Sequence, residues 1–203
     1  MPSSLPRLVH PPARRLVIGI DEVGRGCIAG SVVASAVVWA GRIKGLADSK
    51  ALSAPARARL VPLIEKKAHA FAIGEASAQE IDQINILQAT FLAMCRAYES
   101  IPEQWRNEAE IWVDGNQLPP GLPATRVRLF IGGDATHAPI AAASVLAKEW
   151  RDAQMRQAAL DWPGYGFEKH KGYGTLVHLA GLTSQGPCPI HRLSFAPVKK
   201  HCL

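Results

Sequence analysis

Three short, largely apolar segments of this chain each lead into acidic residues, and this pattern restricts the fold more than any other feature of the sequence. The segments and their acids are residues 16–20 before Asp21 and Glu22, residues 110–113 before Asp114, and residues 126–131 before Asp134. Apolar runs of this length, bounded by polar residues and glycines, are typical of buried strands. Because separate strands can end at the same edge of a sheet, we expect these four carboxylates to lie close together.

Helical segments and two further strands surround these three. The helices are predicted at residues 53–71, 77–99, 139–160 and 175–182, and the further strands at residues 27–39 and 71–75. Ser77 and Glu80 have the spacing of a capping box, so a helix is expected to begin after Ser77. Pro62 predicts a kink or a later start in the first helix, for which Ser53 is the candidate N-cap. Strands with intervening helices predict an α/β fold with a mixed sheet.

The length of the chain predicts one domain. Its 203 residues fit a single unit over residues 16–203, preceded by a flexible, basic, Pro-rich arm at residues 1–15. No apolar run is long enough to span a membrane, and the N-terminus lacks an apolar signal segment. The four cysteines form no C-x-x-C pair, which favours a reducing compartment. We therefore expect a cytoplasmic protein with no membrane partner.

The charge balance indicates an anionic partner. Lys and Arg number 23 against 17 for Asp and Glu, a formal net charge of +6, which favours nucleic acid ahead of an acidic membrane surface. Four carboxylates at one sheet edge repel one another, and they stay ionised together only when cations lie between them. Hard oxygen ligands select Mg²⁺ or Mn²⁺, and two such ions suit the hydrolysis of a phosphodiester.

The loop after the first strand contains Gly24, Arg25 and Gly26. In a regular strand Asp21 and Glu22 would point to opposite faces, so we expect the chain to leave the strand at these acids, where the glycines allow a turn. The loop faintly resembles a dinucleotide-binding motif. Its third glycine comes one residue too late, and two carboxylates stand where a pyrophosphate needs positive potential, which argues against a nicotinamide or flavin site.

A series of short sequence blocks spans about residues 16–199. The blocks are Gly19-Ile20-Asp21-Glu22-Val23-Gly24-Arg25-Gly26, Asp48-Ser49-Lys50, Glu80-Ile81-Asp82, Val113-Asp114-Gly115-Asn116, Gly133-Asp134, residues 140–148, Tyr165-Gly166-Phe167, His170-Lys171-Gly172-Tyr173 and His191-Arg192. Together, and in this order, they resemble the ribonuclease HII family. The resemblance implies a ribonuclease H-like fold, with a central mixed five-stranded sheet flanked by helices and a C-terminal helical part from about residue 161.

The resemblance also implies an activity and its residues. The implied enzyme cleaves RNA in RNA/DNA hybrids and cuts 5′ to single ribonucleotides in duplex DNA, leaving a 3′-hydroxyl and a 5′-phosphate. The catalytic acids, which hold two Mg²⁺ or Mn²⁺ ions, carry over onto Asp21, Glu22, Asp114 and Asp134. The motif that contacts the ribonucleotide's 2′-hydroxyl carries over onto Gly24, Arg25 and Gly26. Tyr173 matches a tyrosine that packs on the neighbouring sugar.

Other candidate substrate contacts follow from spacing. Ser144 and Lys148 are four residues apart on one predicted helix, so they share a face and could both reach a backbone phosphate, as could Lys50. His170 is a candidate proton shuttle or phosphate contact, with a hydrogen-bonded structural histidine as the alternative. The chain departs from the family at Cys27, where proline is usual, and at Gly132, where lysine is common.

Two other functions stay open on the sequence. A non-catalytic binder of RNA/DNA hybrids would keep the fold, although four acids oppose binding to a phosphate backbone. Another nuclease of the same fold, such as a junction resolvase, would have no use for the glycine loop and Tyr173. The expected state is a monomer bound to RNA/DNA hybrid or ribonucleotide-containing duplex. Residues 197–203 carry no clear clamp-binding motif, which leaves binding of a replication clamp open.

Overall fold

A mixed five-stranded sheet lies at the centre of the structure, a computed structural model that describes residues 8–46 and 52–202. The strands are β1 (Val17–Val23), β2 (Val32–Val38), β3 (Ala70–Ala76), β4 (Glu110–Asp114) and β5 (Val127–Phe130). The helices are α1 (Ala54–Lys67), α2 (Ala78–Glu99), α3 (Glu103–Arg106), α4 (Gly133–Thr136), α5 (Ala138–Asp161), α6 (Phe167–His170), α7 (Leu176–Gln185) and α8 (Ala196–Lys199).

The strand order across the sheet is β3-β2-β1-β4-β5. β1 pairs antiparallel with β2, and β2 antiparallel with β3, whereas β1 pairs parallel with β4, and β4 parallel with β5. All seven residues of β2 are buried, as expected of a strand that is covered on both faces. The predicted α/β fold, with a mixed five-stranded sheet flanked by helices, is confirmed.

Helices cover both faces of the sheet. On one face α2 packs against Ile18 and Ile20 of β1, and on the other face α5 packs against β1 and β2. Gly19 faces α5, and a Cβ placed there would lie 2.2 Å from the backbone carbonyl of Pro139. Because Pro139 lies in the first turn of α5, the missing side chain at Gly19 lets this helix approach the strand closely.

Two helices differ in detail from the sequence-based prediction. α1 begins directly after its N-cap, Ser53, so Pro62 does not delay its start. α2 begins with the predicted capping box, but Asn85 interrupts the helix with φ 66° and ψ 165°. The Asn85 side chain accepts hydrogen bonds from two of the following backbone N–H groups, which caps the second half of α2.

The helices after α5 enclose an apolar cluster of their own. It contains Ile28, Ala29, Met155, Tyr165, Phe167, Leu182, Cys188 and Val198. Ile28 and Ala29 lie in the loop between β1 and β2, so this cluster joins the C-terminal helices to that loop. In the part of the chain that the structure describes, no helix is both long and apolar enough to cross a membrane.

The N-terminal arm, expected to be flexible, is attached to the domain at Val9. The N–H of Val9 donates to the carbonyl of Thr136, and its carbonyl accepts from the N–H of Ala138. The arm therefore runs past the start of α5. Residues 1–7 lie outside the described residues.

We expect Gly19→Ala to destabilise the protein, because the new methyl group would overlap the backbone of Pro139 and push α5 away from β1. The free energy of unfolding should fall by about 2–3 kcal/mol, as in other overpacked cores. Thermal unfolding followed by circular dichroism measures this loss. Gly174→Ala is the matched control, since its Cβ would lie 3.5 Å from the nearest atom, an ordinary contact. Equal losses in both variants would contradict this account.

Candidate active site

The parallel pairing of β1 with β4 brings the first acids together. The ladder ends with Ile20 opposite Val113, and the next residue on each strand is an acid, Asp21 on β1 and Asp114 on β4. Glu22 follows Asp21 directly. Ligand atoms of these three carboxylates lie within 4.8 Å of one another. The structure therefore brings three of the predicted site residues into one group.

Glu22 joins this group although β1 does not end at the acids, contrary to expectation. The strand continues through Val23, still paired with β2, and the chain turns at Gly24, where φ is 96°. Asp21 faces α5, where the hydroxyl of Ser144 donates to it, whereas Glu22 lines a groove together with side chains of α2. The β1–β4 ladder ends at Ile20, so the β4 side of β1 is open beyond this residue. The two carboxylates come together at this open edge.

Asp134 lies beside the other three acids, buried in the short helix α4. After β5 the chain turns through Gly132 with φ 66°, a conformation that suits the glycine found where the family commonly has lysine. The N–H of Gly133 donates to Oδ1 of Asp114 at 2.7 Å, which ties the turn carrying Asp134 to β4. Among the described residues, the ligand atoms within 4.8 Å include none from Asp134, but its charge acts on Asp21.

The electrostatics of these acids favour a bound cation. Burial raises the pKa of Asp21 well above its usual range, and the charges of Glu22, Asp114 and Asp134 raise it further. Burial also raises the pKa of Glu22, although pairing with Arg25 opposes this shift. Carboxylates in this position are unfavourable as anions until a positive charge compensates them. Their oxygen-only ligand set fits a hard divalent cation such as Mg²⁺ or Mn²⁺.

Two buried arginines hold the loop between β1 and β2. Because β2 begins at residue 32 and not at the predicted residue 27, residues 24–31 form an irregular loop. The guanidinium of Arg192 donates to four carbonyls of this loop, those of Gly24, Arg25, Cys27 and Gly30. Arg151 donates to two further loop carbonyls and to one outside it, those of Ala29, Ser31 and Lys171. Arg151 therefore connects the glycine loop to the segment that carries Tyr173.

Arg25, Gly26 and Tyr173 form an exposed rim beside the acids. Nη1 of Arg25 lies 3.3 Å from Oε1 of Glu22, and about half of the Arg25 side chain is exposed. Tyr173 is 47% exposed, and a Cβ placed on Gly26 would lie 3.8 Å from its ring. The tyrosine hydroxyl also donates to the sulfur of Cys27, which is fully buried. The thiol that replaces the family's usual proline is therefore shielded from solvent.

Ser144 and Lys148 both lie on α5, but each is bonded to an acid of the protein. Ser144 is buried behind Asp21, so it supports that carboxylate and does not face the solvent side of the site. Nζ of Lys148 lies 2.7 Å from Oδ1 of Asp152. Ser144 and Lys148 share one face of α5, and a phosphate contact by either side chain stays a prediction. Lys50 lies outside the described residues.

His170 uses both ring nitrogens to hold the backbone. Its Nε2 lies 2.8 Å from the carbonyl oxygen of Tyr165, and its Nδ1 accepts the N–H of Gly172 at 3.2 Å. The ring also stacks on His178 at a centroid distance of 4.6 Å. This geometry favours the structural role over the proton shuttle.

A pair of buried histidines holds the segment that carries Tyr173. Nδ1 of His178 lies 2.9 Å from the carbonyl oxygen of Tyr173, and Nε2 of His178 lies 2.9 Å from Nε2 of His191. Nδ1 of His191 accepts the N–H of Cys188. With Nδ1 of His191 as an acceptor, both rings are neutral, and the hydrogens lie on Nδ1 of His178 and Nε2 of His191. Burial accordingly lowers the pKa of both rings to about 4.

Reasoning from the sequence missed the buried arginines and this histidine pair. Arg151 lies four residues from Ala147 and four from Met155, both buried on α5. That spacing places a charged residue on the buried face of the helix, which is a usable signal. Arg192 and His191 stand in one of the sequence blocks, but no local pattern indicates which groups they contact.

Known proteins resemble this chain over nearly its whole length. A family model described as Ribonuclease HII matches residues 18–198. The Ribonuclease HII of Hyphomonas neptunium is 53% identical over 197 residues, which covers 91% of this chain and 95% of the relative. That of Halorhodospira halophila is 52% identical over 184 residues, which covers 91% of this chain and 93% of the relative.

Solved structures share the fold at low sequence identity. Ribonuclease H2 from Pyrococcus horikoshii OT3 has a TM-score of 0.73 at 22% identity, and the match covers 91% of this chain and 96% of that one. A chain of the PCNA:RNase HII complex from Archaeoglobus fulgidus has a TM-score of 0.68 at 24% identity, covering 89% and 95%. Bst-RNase HIII in complex with Mn²⁺ has a TM-score of 0.66 at 19% identity, covering 92% and 69%.

The central sheet and the carboxylates at its edge, together with these matches, define an RNase H-type endonuclease. This class acts on RNA/DNA substrates and uses divalent metal ions. Within this class, the family model and the relatives of more than 50% identity show which family the chain belongs to. The chain belongs to the ribonuclease HII family.

We expect Asp21→Asn to stabilise the metal-free protein, because it removes one buried charge from a group of mutually repelling carboxylates. Each 1 kcal/mol gained should raise Tm by about 2–4 °C in a chain of this size. Mg²⁺ or Mn²⁺ should raise the Tm of the wild-type protein and leave that of the variant nearly unchanged. Differential scanning fluorimetry with EDTA or metal measures both effects. Glu65→Gln, which changes an exposed carboxylate on α1, should behave like the wild-type protein.

We expect acid to weaken the fold through the pair His178 and His191. Their pKa is about 4 in the folded protein against 6.5 as the usual value, so the unfolded chain takes up protons first. The pair's contribution is complete above pH 6.5 and is lost as the pH falls from 6.5 to 4. Thermal unfolding across this range measures the loss. His191→Gln should show a shallower slope, and an unchanged slope would contradict this assignment.

Proposed function

We propose that this chain cleaves the RNA strand of RNA/DNA hybrids and cuts 5′ to single ribonucleotides in duplex DNA, leaving a 3′-hydroxyl and a 5′-phosphate. Asp21, Glu22, Asp114 and Asp134 would hold two Mg²⁺ or Mn²⁺ ions. When bound, these ions supply Lewis acidity to the attacking water and to the leaving oxygen.

One observation carries this proposal, namely that ligand atoms of Asp21, Glu22 and Asp114 lie within 4.8 Å of one another. The exposed loop residues Arg25 and Gly26 lie beside them. Carboxylates at this distance repel unless cations compensate them, so the group is suited to cations. A protein that only binds nucleic acid would gain affinity by losing these negative charges. The site therefore favours hydrolysis over the non-catalytic alternative.

The glycine loop and Tyr173 support recognition of a single ribose. Gly26 is exposed and has no side chain, so a sugar can approach its backbone closely. Tyr173 offers an exposed ring beside it, which suits packing against the neighbouring sugar. A junction resolvase that acts on DNA alone would meet no 2′-hydroxyl. This combination therefore favours a ribonucleotide-containing substrate.

Three lysine and serine positions have supporting roles in this proposal. Ser144 steadies Asp21 by its hydrogen bond. Lys148 is paired with Asp152, yet its charge still acts on Cys27 at the loop, so it contributes positive potential near the substrate backbone. Lys50 stays a predicted phosphate contact.

We infer that the protein acts as a cytoplasmic monomer in the removal of ribonucleotides from DNA during replication and repair. A net charge of +6 supports binding to a nucleic-acid backbone. The Archaeoglobus fulgidus relative was solved in complex with PCNA. Binding of a replication clamp by this chain stays open.

An end-labelled DNA duplex containing one ribonucleotide tests this activity. We expect one cut 5′ to the ribonucleotide with Mg²⁺ or Mn²⁺, and none in EDTA. Asp21→Asn and Asp134→Asn should each lower the rate by about a thousandfold or more, because metal ligands contribute several kcal/mol to the transition state. Mapping the labelled product to the nucleotide gives the position of the cut.

An all-DNA duplex and the exposed variant Glu65→Gln are the controls. The all-DNA duplex should stay intact, and Glu65→Gln should cut at the wild-type rate. Binding of the duplex without cleavage in either metal would support the non-catalytic alternative. Preferred cutting of all-DNA junctions would support a resolvase instead.

A further inference from the structure

We propose that Arg192 is a positioning residue for ribose recognition, whose buried guanidinium turns the backbone N–H groups of the glycine loop outward. This inference rests on the proposed role of the loop in contacting the 2′-hydroxyl. It goes further by naming the side chain that gives the loop its binding shape.

The contacts of Arg192 cover the whole loop. Nη2 donates to the carbonyl of Gly24 at 2.7 Å, and Nη1 donates to the carbonyls of Arg25 at 3.0 Å and Cys27 at 2.6 Å. Nε donates to the carbonyl of Gly30 at 3.0 Å. Arg192 is fully buried, so these hydrogen bonds form away from water, where each one is electrostatically stronger than it would be in solvent.

The direction of two carbonyls determines the direction of two donors. In a trans peptide the C=O and the N–H of the same unit point in opposite directions. The carbonyls of Gly24 and Arg25 point inward to Arg192, so the N–H groups of Arg25 and Gly26 point outward. Among the described residues, neither N–H takes part in a hydrogen bond. The loop therefore presents two unused donors on its exposed side, suited to a hydroxyl oxygen.

Only arginine among the cationic residues matches this arrangement. Its guanidinium carries donors on three nitrogens in a rigid plane, whereas lysine has one nitrogen. Burial lowers the pKa of Arg192 to about 10, which leaves the group charged at neutral pH. The Arg192 guanidinium also lies over the aromatic ring of Phe195, 5.2 Å from the ring centroid.

Asp82 on α2 holds the segment that follows Arg192. Its carboxylate accepts the N–H of Leu193 at 2.8 Å, and the N–H and hydroxyl of Ser194 at 2.9 and 2.6 Å. Asp82 belongs to a sequence block that the acidic site does not use. We infer that it supports the same loop through Arg192.

Binding of two matched duplexes tests this inference. One duplex contains a single ribonucleotide and the other is all DNA, and Ca²⁺ replaces the catalytic metals in both. We expect the wild-type protein to prefer the ribonucleotide-containing duplex. Arg192→Lys should reduce that preference about tenfold, towards parity, while affinity for all-DNA stays close to wild type. Fluorescence anisotropy measures both dissociation constants.

Arg126→Lys is the matched control. Arg126 also donates to backbone carbonyls, those of Arg106 and Ala109, but it lies at the opposite end of β4 and β5 from the acids. This variant should lose stability and keep the preference. A general loss of folding in Arg192→Lys would weaken binding to both duplexes equally, so the ratio of the two constants separates positioning from stability.

Asp82→Ala provides a second variant that leaves the buried guanidinium in place. It should lower the preference in the same direction by a smaller factor. A wild-type preference in both Arg192→Lys and Asp82→Ala would overturn the role of Arg192 and leave the proposed activity intact. Absence of any preference in the wild-type protein would overturn the proposed recognition by the loop, and this inference with it.

Discussion

Asp21 and Asp114 lie side by side because the parallel ladder between β1 and β4 ends one residue before both of them. Two buried strands that run in the same direction must end at the same edge of the sheet, so the acids cannot avoid one another. The rest of the site is arranged around this constraint. Gly19 lets α5 approach closely enough for Ser144 to reach Asp21, and the turn after β5 donates an N–H to Asp114.

The acids lie next to buried positive charge that they do not neutralise. Arg151 and Arg192 bond backbone carbonyls, and within the described parts of the chain neither forms an ion pair with a carboxylate. Carbonyl oxygens satisfy the guanidinium donors without cancelling the charge. Positive charge is therefore kept beneath the glycine loop, on the side opposite its outward N–H groups. Negative charge stays on the carboxylates, where cations would bind.

The C-terminal helices complete the rim of the site. Arg151 donates to the carbonyl of Lys171, and His178 holds the carbonyl of Tyr173, so the tyrosine segment is fixed against the glycine loop. Two loops that are distant in sequence thus become one surface. This surface lies next to the carboxylates, because Arg25 of the loop contacts Glu22.

The sequence by itself determined the five strands and the long helices, and it predicted that Asp21, Glu22, Asp114 and Asp134 lie close together, because hydrophobic periodicity and strand-end acids are local signals. It predicted wrongly that the chain leaves β1 at Asp21 and Glu22, since the strand continues through Val23. Tertiary structure alone decided that both carboxylates meet around an uninterrupted strand, that Ser144 and Lys148 bond acids of the protein, and that Arg192 supports the glycine loop. Lys148 and Asp152 are only four residues apart on α5, but Ser144 reaches an acid on β1, and Arg192 reaches carbonyls more than 160 residues away, which every residue carries. No residue pattern identifies such long-range partners before the chain is folded.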